Sequence, residues 1–207
     1  MATQPQKRKY FENLVELSKK NETFEKRTFQ ALTWYRNKVR DVFGTRDTPP
    51  ELFFDKNNYP NRPIPGNIVT FRYNPSNKNT LPFYDVFPLV LILRIVPGGF
   101  IGLNFHYIHP MDRAVFMSKL QRYERPFPDG TIKLNIRYST LKSVGGLPFH
   151  EECVKRYKRA NIRTMFYTLT PEEWDIALFL PTEKFVNKTK QNVWKEAKER
   201  LRNKKKV

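Results

Sequence analysis

The chain has 207 residues, which is enough for one domain with a sizeable core and appended helices. Hydrophobic residues make up 39% of it and aromatic residues 14%, so the composition excludes a disordered tail. Lysine and arginine number 38 against 20 aspartates and glutamates, a formal net charge of +18 that predicts a polyanionic partner, with nucleic acid as the leading class.

The N-terminal part is predicted to be a helical extension over residues 1–47. Apolar residues recur at helical spacing first between Tyr10 and Leu17 and again between Phe29 and Val42. Five prolines then fall within residues 48–65, a density that ends helices and predicts a linker. This linker is the predicted boundary to a core domain over residues 66–186.

Two apolar runs on either side of Gly98-Gly99 predict a β-hairpin in the core domain. Leu89 to Val96 is almost continuously aliphatic, and Phe100 to Ile108 resumes after the glycines. Ile68 to Tyr73 and Thr131 to Tyr138 alternate as half-buried strands do. We therefore predict an α+β fold, with a small antiparallel, barrel-like sheet centred on residues 68–108 and 131–138 and flanked by N-terminal and C-terminal helices.

Three helices and one further strand are predicted in the second half of the chain. Pro110 opens a helix that Pro126 stops, and residues 161–169 predict a strand. Residues 170–173 then combine an N-cap threonine, a proline at the first helical position and two glutamates near the positive helix end. Residues 187–207 predict a basic C-terminal helix and tail, whose apolar stripe consists of Val193, Trp194, Ala197 and Leu201.

Two basic clusters supply the predicted nucleic-acid-binding residues. Several cations on one rigid element can contact several regularly spaced phosphates at once. Such contacts do not depend on the base sequence. A solvated helix face is the alternative explanation of a charge run. The predicted contacts are Lys155, Arg156, Lys158 and Arg159 around Tyr157, and Lys198, Arg200, Arg202 and Lys204 near the C-terminus.

All three histidines and the single cysteine are candidate zinc ligands, namely His106, His109, His150 and Cys153. They form one H-x-x-H pair and one H-x-x-C pair, a spacing that tetrahedral zinc sites use. Residues three apart on a strand point to opposite faces, which favours structural histidines and a buried thiol instead. The sequence therefore predicts neither a metal nor another cofactor.

Signatures of catalysis are thin. The sequence has no glycine-rich phosphate loop, no nucleophile elbow and no H-E-x-x-H motif. Carboxylates such as Asp85 and Asp175 could hold Mg²⁺ in a nuclease, but no spacing among them is specific. No catalytic residue is predicted, and a metal-dependent nuclease stays an alternative.

The single cysteine also excludes an intramolecular disulfide framework and suits a reducing compartment. The start of the chain shows no apolar signal region, and no window approaches ~18 uninterrupted apolar residues. We therefore expect a soluble protein with no membrane partner.

Several segments of the sequence resemble a known protein family. Taken in order, they resemble the DNA end protector proteins of T-even-type tailed bacteriophages and their cyanophage relatives, and they occupy residues 65–75, 81–90, 98–107, 153–155 and 173–181. The resemblance spans about residues 30 to 200. The chain departs from the family pattern at Ile108-His109-Pro110, where the family tends to carry Leu-Pro, and this further weakens the zinc interpretation.

The resemblance implies a non-enzymatic virion protein that binds and protects the ends of packaged double-stranded DNA during head completion and after ejection. It also implies residence in the virion, and in the bacterial host cytoplasm during assembly, with head-completion, portal or neck proteins as possible neighbours. The resemblance implies no catalytic residue in this chain. The main alternative is a structural neck or tail-baseplate component, whose basic surface would meet acidic neighbouring subunits.

Overall fold

A computed structural model describes residues 29–33, 62–128, 132–136, 138–143, 153–164, 166–171 and 173–204. Residues 29–33 are helical, and the rest of the predicted N-terminal extension and most of the linker lie outside these ranges. The boundary at residues 48–65 therefore stays a prediction. Within the described ranges, no helix has the length and apolar character needed to cross a membrane.

The centre of the fold is a five-stranded antiparallel sheet with the strand order β7-β4-β3-β1-β8. The predicted hairpin forms its middle, where Val96 lies opposite Gly99 and Val90 lies opposite Asn104. The strands are β1 (Ile68–Thr70), β3 (Leu89–Val96), β4 (Gly99–Asn104), β7 (Val154–Lys158) and β8 (Tyr167–Leu169). The predicted strand over residues 89–96 is confirmed to the residue.

The sheet does not close into a barrel. Its edges are β7 and β8, which do not pair with each other. The chain between them runs back along the end of β1, where the Asn74 amide donates to the Asn161 carbonyl (2.9 Å) and Tyr73 forms an antiparallel bridge with Ile162. The α+β fold with an antiparallel sheet is confirmed, and the barrel-like core is in fact an open sheet.

Each face of the sheet carries its own apolar cluster. On the inner face the ring of Phe71 meets the rings of Phe100 (5.8 Å), Tyr157 (5.3 Å) and Phe166 (5.2 Å), all edge-on. The outer face packs against the helices through a larger cluster that includes Ile68, Leu91, Leu103, Phe116 and Trp174. Because both faces of the sheet are covered over its centre, the sequences of its strands are almost continuously apolar.

The predicted strand over residues 131–138 has a different partner from the one expected. Only β6 (Ile132–Leu134) forms, and it pairs with β5 (Glu124–Pro126) in a separate two-stranded sheet. A helix, α2 (Tyr138–Ser143), follows directly. Alternation identifies a half-buried strand without naming its partner, so its inclusion in the central sheet was wrong.

Short helices connect and cover these strands. α1 (Pro110–Leu120) begins with the predicted proline, and a 3-10 turn (Phe105–Tyr107) ends β4 earlier than predicted because the Asn104 side chain caps it. Further 3-10 turns cover Gln121–Tyr123 and Arg159–Asn161. The remaining elements are β2 (Tyr84–Asp85), which pairs with β9 (Phe185–Val186), α3 (Trp174–Ala177) and α4 (Lys190–Lys204).

The C-terminal helix is docked through the predicted apolar stripe. Val193, Trp194 and Ala197 are buried, and the Trp194 Nε1 donates to the carbonyl of His106 (2.9 Å). The helix predicted to start at Thr170 in fact begins at Trp174, with Glu173 at its N-cap, and the Glu173 carboxylate accepts from the amide of Thr170 (3.0 Å) in the turn before it. α4 is therefore fixed to the end of β4 that lies away from the hairpin turn.

Gly99→Ala is expected to lower the free energy of unfolding by roughly 2 kcal/mol, within the usual range for overpacking. A Cβ at residue 99 would lie 1.9 Å from the carbonyl oxygen of Tyr157, so β7 would have to move away from β4. Denaturant unfolding measures this loss. Gly98→Ala is the control: its Cβ would meet nothing within 4 Å, and only the positive φ of 73° costs it about 1 kcal/mol. Equal losses in both variants would contradict the close approach at Gly99.

Candidate nucleic-acid interface

The first predicted basic cluster lies on β7, an edge strand of the central sheet. Tyr157 is buried in the inner aromatic cluster, while Arg156 and Lys158 alternate with it and are exposed. A strand rather than a helix therefore presents these cations. The buried ring of Tyr157 fixes their backbone in place.

The exposed cations of β7, together with Arg159 directly after it, gather at the tip of the β3-β4 hairpin. Arg156 donates from Nη2 to the carbonyl of Pro97 (3.0 Å), and the amide of Arg159 donates to the carbonyl of Gly98 (2.9 Å). Lys158 lies directly opposite Gly99. Three of the four residues predicted in the first cluster thus surround one turn.

Arg94 joins this surface from the neighbouring strand, although sequence reasoning missed it. It pairs with Ile101 on β4, and Ile101 pairs in turn with Arg156, so both arginines lie on one face of the sheet. Arg94 is exposed. The available signal was a single charge at the end of an otherwise aliphatic strand. We call this surface the basic edge: Arg94, Arg156, Lys158 and Arg159.

No carboxylate in the adjacent sequence offsets the basic edge. The chain has no aspartate or glutamate within residues 86–111, which include β3 and β4, or within residues 153–171, which include β7 and β8. Positive charge is therefore concentrated around the hairpin tip without local pairing along these strands. Such a surface attracts an anionic partner over a distance of about a Debye length.

Lys155 does not share this surface. It is half-buried, and its Nζ lies 4.7 Å from the centre of the Tyr107 ring. Burial lowers the pKa of Lys155, partly offset by the neighbouring Cys153. Its position on β7 turns it to the opposite face from Arg156, where it makes a cation–π contact.

The second predicted cluster lies at the other end of β4. Lys198, Arg200 and Arg202 are exposed on α4; Lys204 also lies in this helix, and its side chain is outside the described residues. α4 docks through Trp194 on the turn that follows β4, and the six residues of β4 put this docking point about 20 Å along the strand from the hairpin tip. The two predicted clusters therefore lie on separate surfaces.

The candidate zinc ligands have separate structural roles. His106 is buried with its Nδ1 2.7 Å from Asp85 Oδ2, and that oxygen also accepts from Asn104 (3.0 Å). His109 instead caps α1, accepting from the amide of Met111 (3.3 Å). Cys153 is buried, and His150 lies outside the described residues. Within the described residues, no group of three or more potential metal ligands is present.

The same contacts bear on the nuclease alternative. Asp85 is buried, and its other oxygen accepts from the amide of Phe87 (3.1 Å). Its carboxylate is thus engaged by Phe87, Asn104 and His106 rather than open to solvent. The side chain of Asp175 lies outside the described residues.

Acid pH is expected to destabilise the fold through His109. Burial, with Lys198 and Arg113 nearby, lowers the pKa of His109 from 6.5 to about 4, and Glu183 opposes this only in part. As the pH falls from about 6.5 towards 4, His109 becomes protonated in the unfolded chain but stays neutral in the folded chain, so the free energy of unfolding falls. The ring is partly exposed, which reduces the expected loss to roughly 1 kcal/mol.

Denaturant unfolding at pH 7.5 and pH 5 tests this in the wild type and in His109→Asn. Asparagine keeps an acceptor for the helix cap but does not titrate. The variant should lose roughly 1 kcal/mol less than the wild type between these pH values. An identical pH dependence in both proteins would assign the acid sensitivity to other groups.

Comparison with known families decides which class of protein carries these surfaces. A family model described as Phage T4 terminal DNA protecting protein matches residues 53–200. The chain belongs to this family. The resemblance predicted from the sequence is thereby confirmed, and the terminal DNA protecting family is one of phage proteins. No curated protein and no solved structure matches the chain.

The match to the terminal DNA protecting family includes the whole basic edge and half of the second cluster. It spans the whole central sheet and the basic edge, and it reaches Lys198 and Arg200 on α4. Arg202 and Lys204 lie beyond its end. The basic edge and half of the second cluster therefore lie within the part of the chain that carries the family likeness.

Proposed function

We propose that this protein binds the ends of packaged double-stranded DNA and shields them without catalysis, during head completion and after ejection. The observation that carries the proposal is the basic edge, four exposed cations at one hairpin tip with no carboxylate along the adjacent strands. Family membership supports the terminal position on the DNA. The partner is duplex DNA, the protein resides in the virion, and host cytoplasm is the place of assembly.

Phosphate contact suits the geometry of this surface. Duplex DNA carries one negative charge per roughly 1.7 Å of axis, so a cluster of cations on a rigid strand meets several phosphates at once. Neutralising them releases counterions, and this supplies affinity without sequence choice. A protein that covers DNA ends of any sequence needs this kind of binding.

Protection of linear DNA against a purified exonuclease tests the proposal. With the full-length protein in excess, we expect a linear duplex to survive digestion, and high salt should abolish the protection because it weakens phosphate contacts. The protein alone with Mg²⁺ or Mn²⁺ should leave circular DNA intact. Cutting of the circular DNA would establish the nuclease instead. Digestion of the linear DNA as fast as without protein would contradict end protection and favour the structural neck or tail-baseplate component.

A further inference from the structure

A cleft of about 670 Å³ opens beside the hairpin tip. It lies on the inner face of the sheet, since Phe100 and Ile162 of the inner aromatic cluster contribute to its wall. Its volume falls within the range of ~300–1,000 Å³ that small-ligand sites occupy. The same Arg159 that belongs to the basic edge also lines this cleft. Arg159 therefore connects the cleft on the inner face with the basic edge, whose Arg94 and Arg156 lie on the opposite face at the same hairpin tip.

The lining combines apolar walls with cations. Ile95 lines the cleft. It is 50% exposed and is one of two large apolar side chains that are exposed in the described part of the chain. One exposed isoleucine means little by itself. Here, however, the charged groups around it are Arg62, Lys133 and Arg159, and no acidic residue lines the cleft within the described ranges. The chemistry fits a ligand with a flat apolar part and an anionic part.

The hairpin turn contributes backbone without a side chain to the lining of the cleft. Gly98 has a φ of 73°, and a Cβ built on it would meet no atom within 4 Å. A ligand can therefore approach the turn without meeting a side chain at this position. The turn that gathers the cations of the basic edge also leaves the cleft accessible from it.

We propose that this cleft holds the unpaired terminal nucleotide of a DNA end lying on the basic edge. This inference rests on the proposed function. The base would lie against Ile95 and Ile162, and its phosphate would meet Arg159. An internal base must be unpaired and unstacked before it can leave the duplex, at a cost of a few kcal/mol, whereas a terminal overhanging nucleotide is already free. The cleft would thus make a phosphate-binding surface selective for ends.

Binding to a relaxed circular duplex and to the same duplex linearised with short single-stranded overhangs tests the cleft. The full-length wild type should bind the linear form more tightly. Ile95→Asn removes an apolar wall without changing charge, and it should reduce this preference roughly tenfold while binding to the circle stays unchanged. Because the side chain is half exposed, the fold should tolerate the change.

A matched pair of charge changes separates the cleft from the phosphate surface. Arg94→Gln and Arg159→Gln each remove one exposed cation of the basic edge, but only Arg159 lines the cleft. Both should weaken binding to the circle by a similar factor. Only Arg159→Gln should also reduce the preference for open ends.

A 2-aminopurine base at the unpaired terminal position gives a direct readout. Its fluorescence should change when the wild type binds and should not change with Ile95→Asn. Full end preference in Ile95→Asn would overturn the cleft proposal. Wild-type binding that is equal for circle and linear DNA would also overturn it, while leaving DNA binding itself intact. Binding to neither DNA would overturn both this inference and the proposed function.

Discussion

Reversing the charge of the basic edge is expected to reduce the affinity for linear duplex DNA by roughly 100-fold or more at 0.1 M salt. The variant combines Arg156→Glu, Lys158→Glu and Arg159→Glu. Each phosphate contact contributes about 0.9 to the slope of log K against log salt, so each lost contact costs nearly tenfold at 0.1 M. Three lost contacts should therefore remove almost three decades and flatten the slope by about 2 to 3.

A salt titration of DNA binding measures both quantities. The matched control reverses three exposed cations on other elements, namely Lys78, Arg122 and Lys184. It changes net charge by the same amount, so it separates local contact from general electrostatic attraction. The control should shift affinity by much less and leave the slope nearly unchanged. An unchanged slope in the basic-edge variant would show that these residues do not touch phosphate.

The same titration also tests whether the second cluster contacts DNA. The corresponding variant reverses Lys198, Arg200 and Arg202 on α4. If one duplex bridges both surfaces, the slope changes of the two variants should add, because the surfaces lie towards opposite ends of β4. If the α4 variant leaves the affinity and the salt slope unchanged, the DNA contacts only the basic edge.

The sequence predicted the hairpin at the centre of the fold but not its edge. Leu89 to Val96 and the Gly98-Gly99 turn follow from local chemistry alone, since an aliphatic run and a glycine at positive φ specify a strand and a turn. β7 was not recognised as a strand because three of its five residues are cations. Its strand conformation depends on β4, with which it pairs, and on the burial of Tyr157. Those are tertiary interactions that no local pattern contains.

The composition of the site was predictable, but its arrangement was not. A run of lysines and arginines predicts phosphate contact wherever it lies in the fold. The position of Arg94, in contrast, depends on a register shift between Ile92 and Arg94. Simple alternation would place Arg94 on the face of Ile92, and the bulge moves it to the face of Arg156. The cleft wall at Ile95 follows from the same bulge.

Glu183→Gln is expected to lower the free energy of unfolding by about 3–5 kcal/mol, the usual cost of leaving a buried charge without its partner. Arg113 on α1 is 0% exposed; its Nη2 lies 2.5 Å from Glu183 Oε1, and it also donates to the carbonyls of Ile108 and Leu178 (2.8 Å each). The variant leaves this guanidinium buried and uncompensated. For a chain of this length, the melting temperature should fall by about 10 °C.

A surface ion pair with the same separation provides the control. Lys188 Nζ also lies 2.5 Å from Glu196 Oε1, but these side chains are 22% and 38% exposed. Glu196→Gln should therefore cost no more than about 1 kcal/mol. The difference between the two variants isolates the effect of burial at constant distance.

The pH dependence should distinguish the buried pair from simple packing. Burial alone would raise the pKa of Glu183, but Arg113 and His106 outweigh it and hold the pKa below its usual value. The stabilisation is therefore complete above the unfolded-state pKa of Glu183 and is lost as the pH falls through the lower folded-state value. Glu183→Gln should lack this acid limb. The double variant Arg113→Met with Glu183→Leu should recover much of the lost stability, since it removes both charges and keeps apolar volume. If Glu183→Gln unfolds no more easily than Glu196→Gln, then Arg113 is not held by this carboxylate.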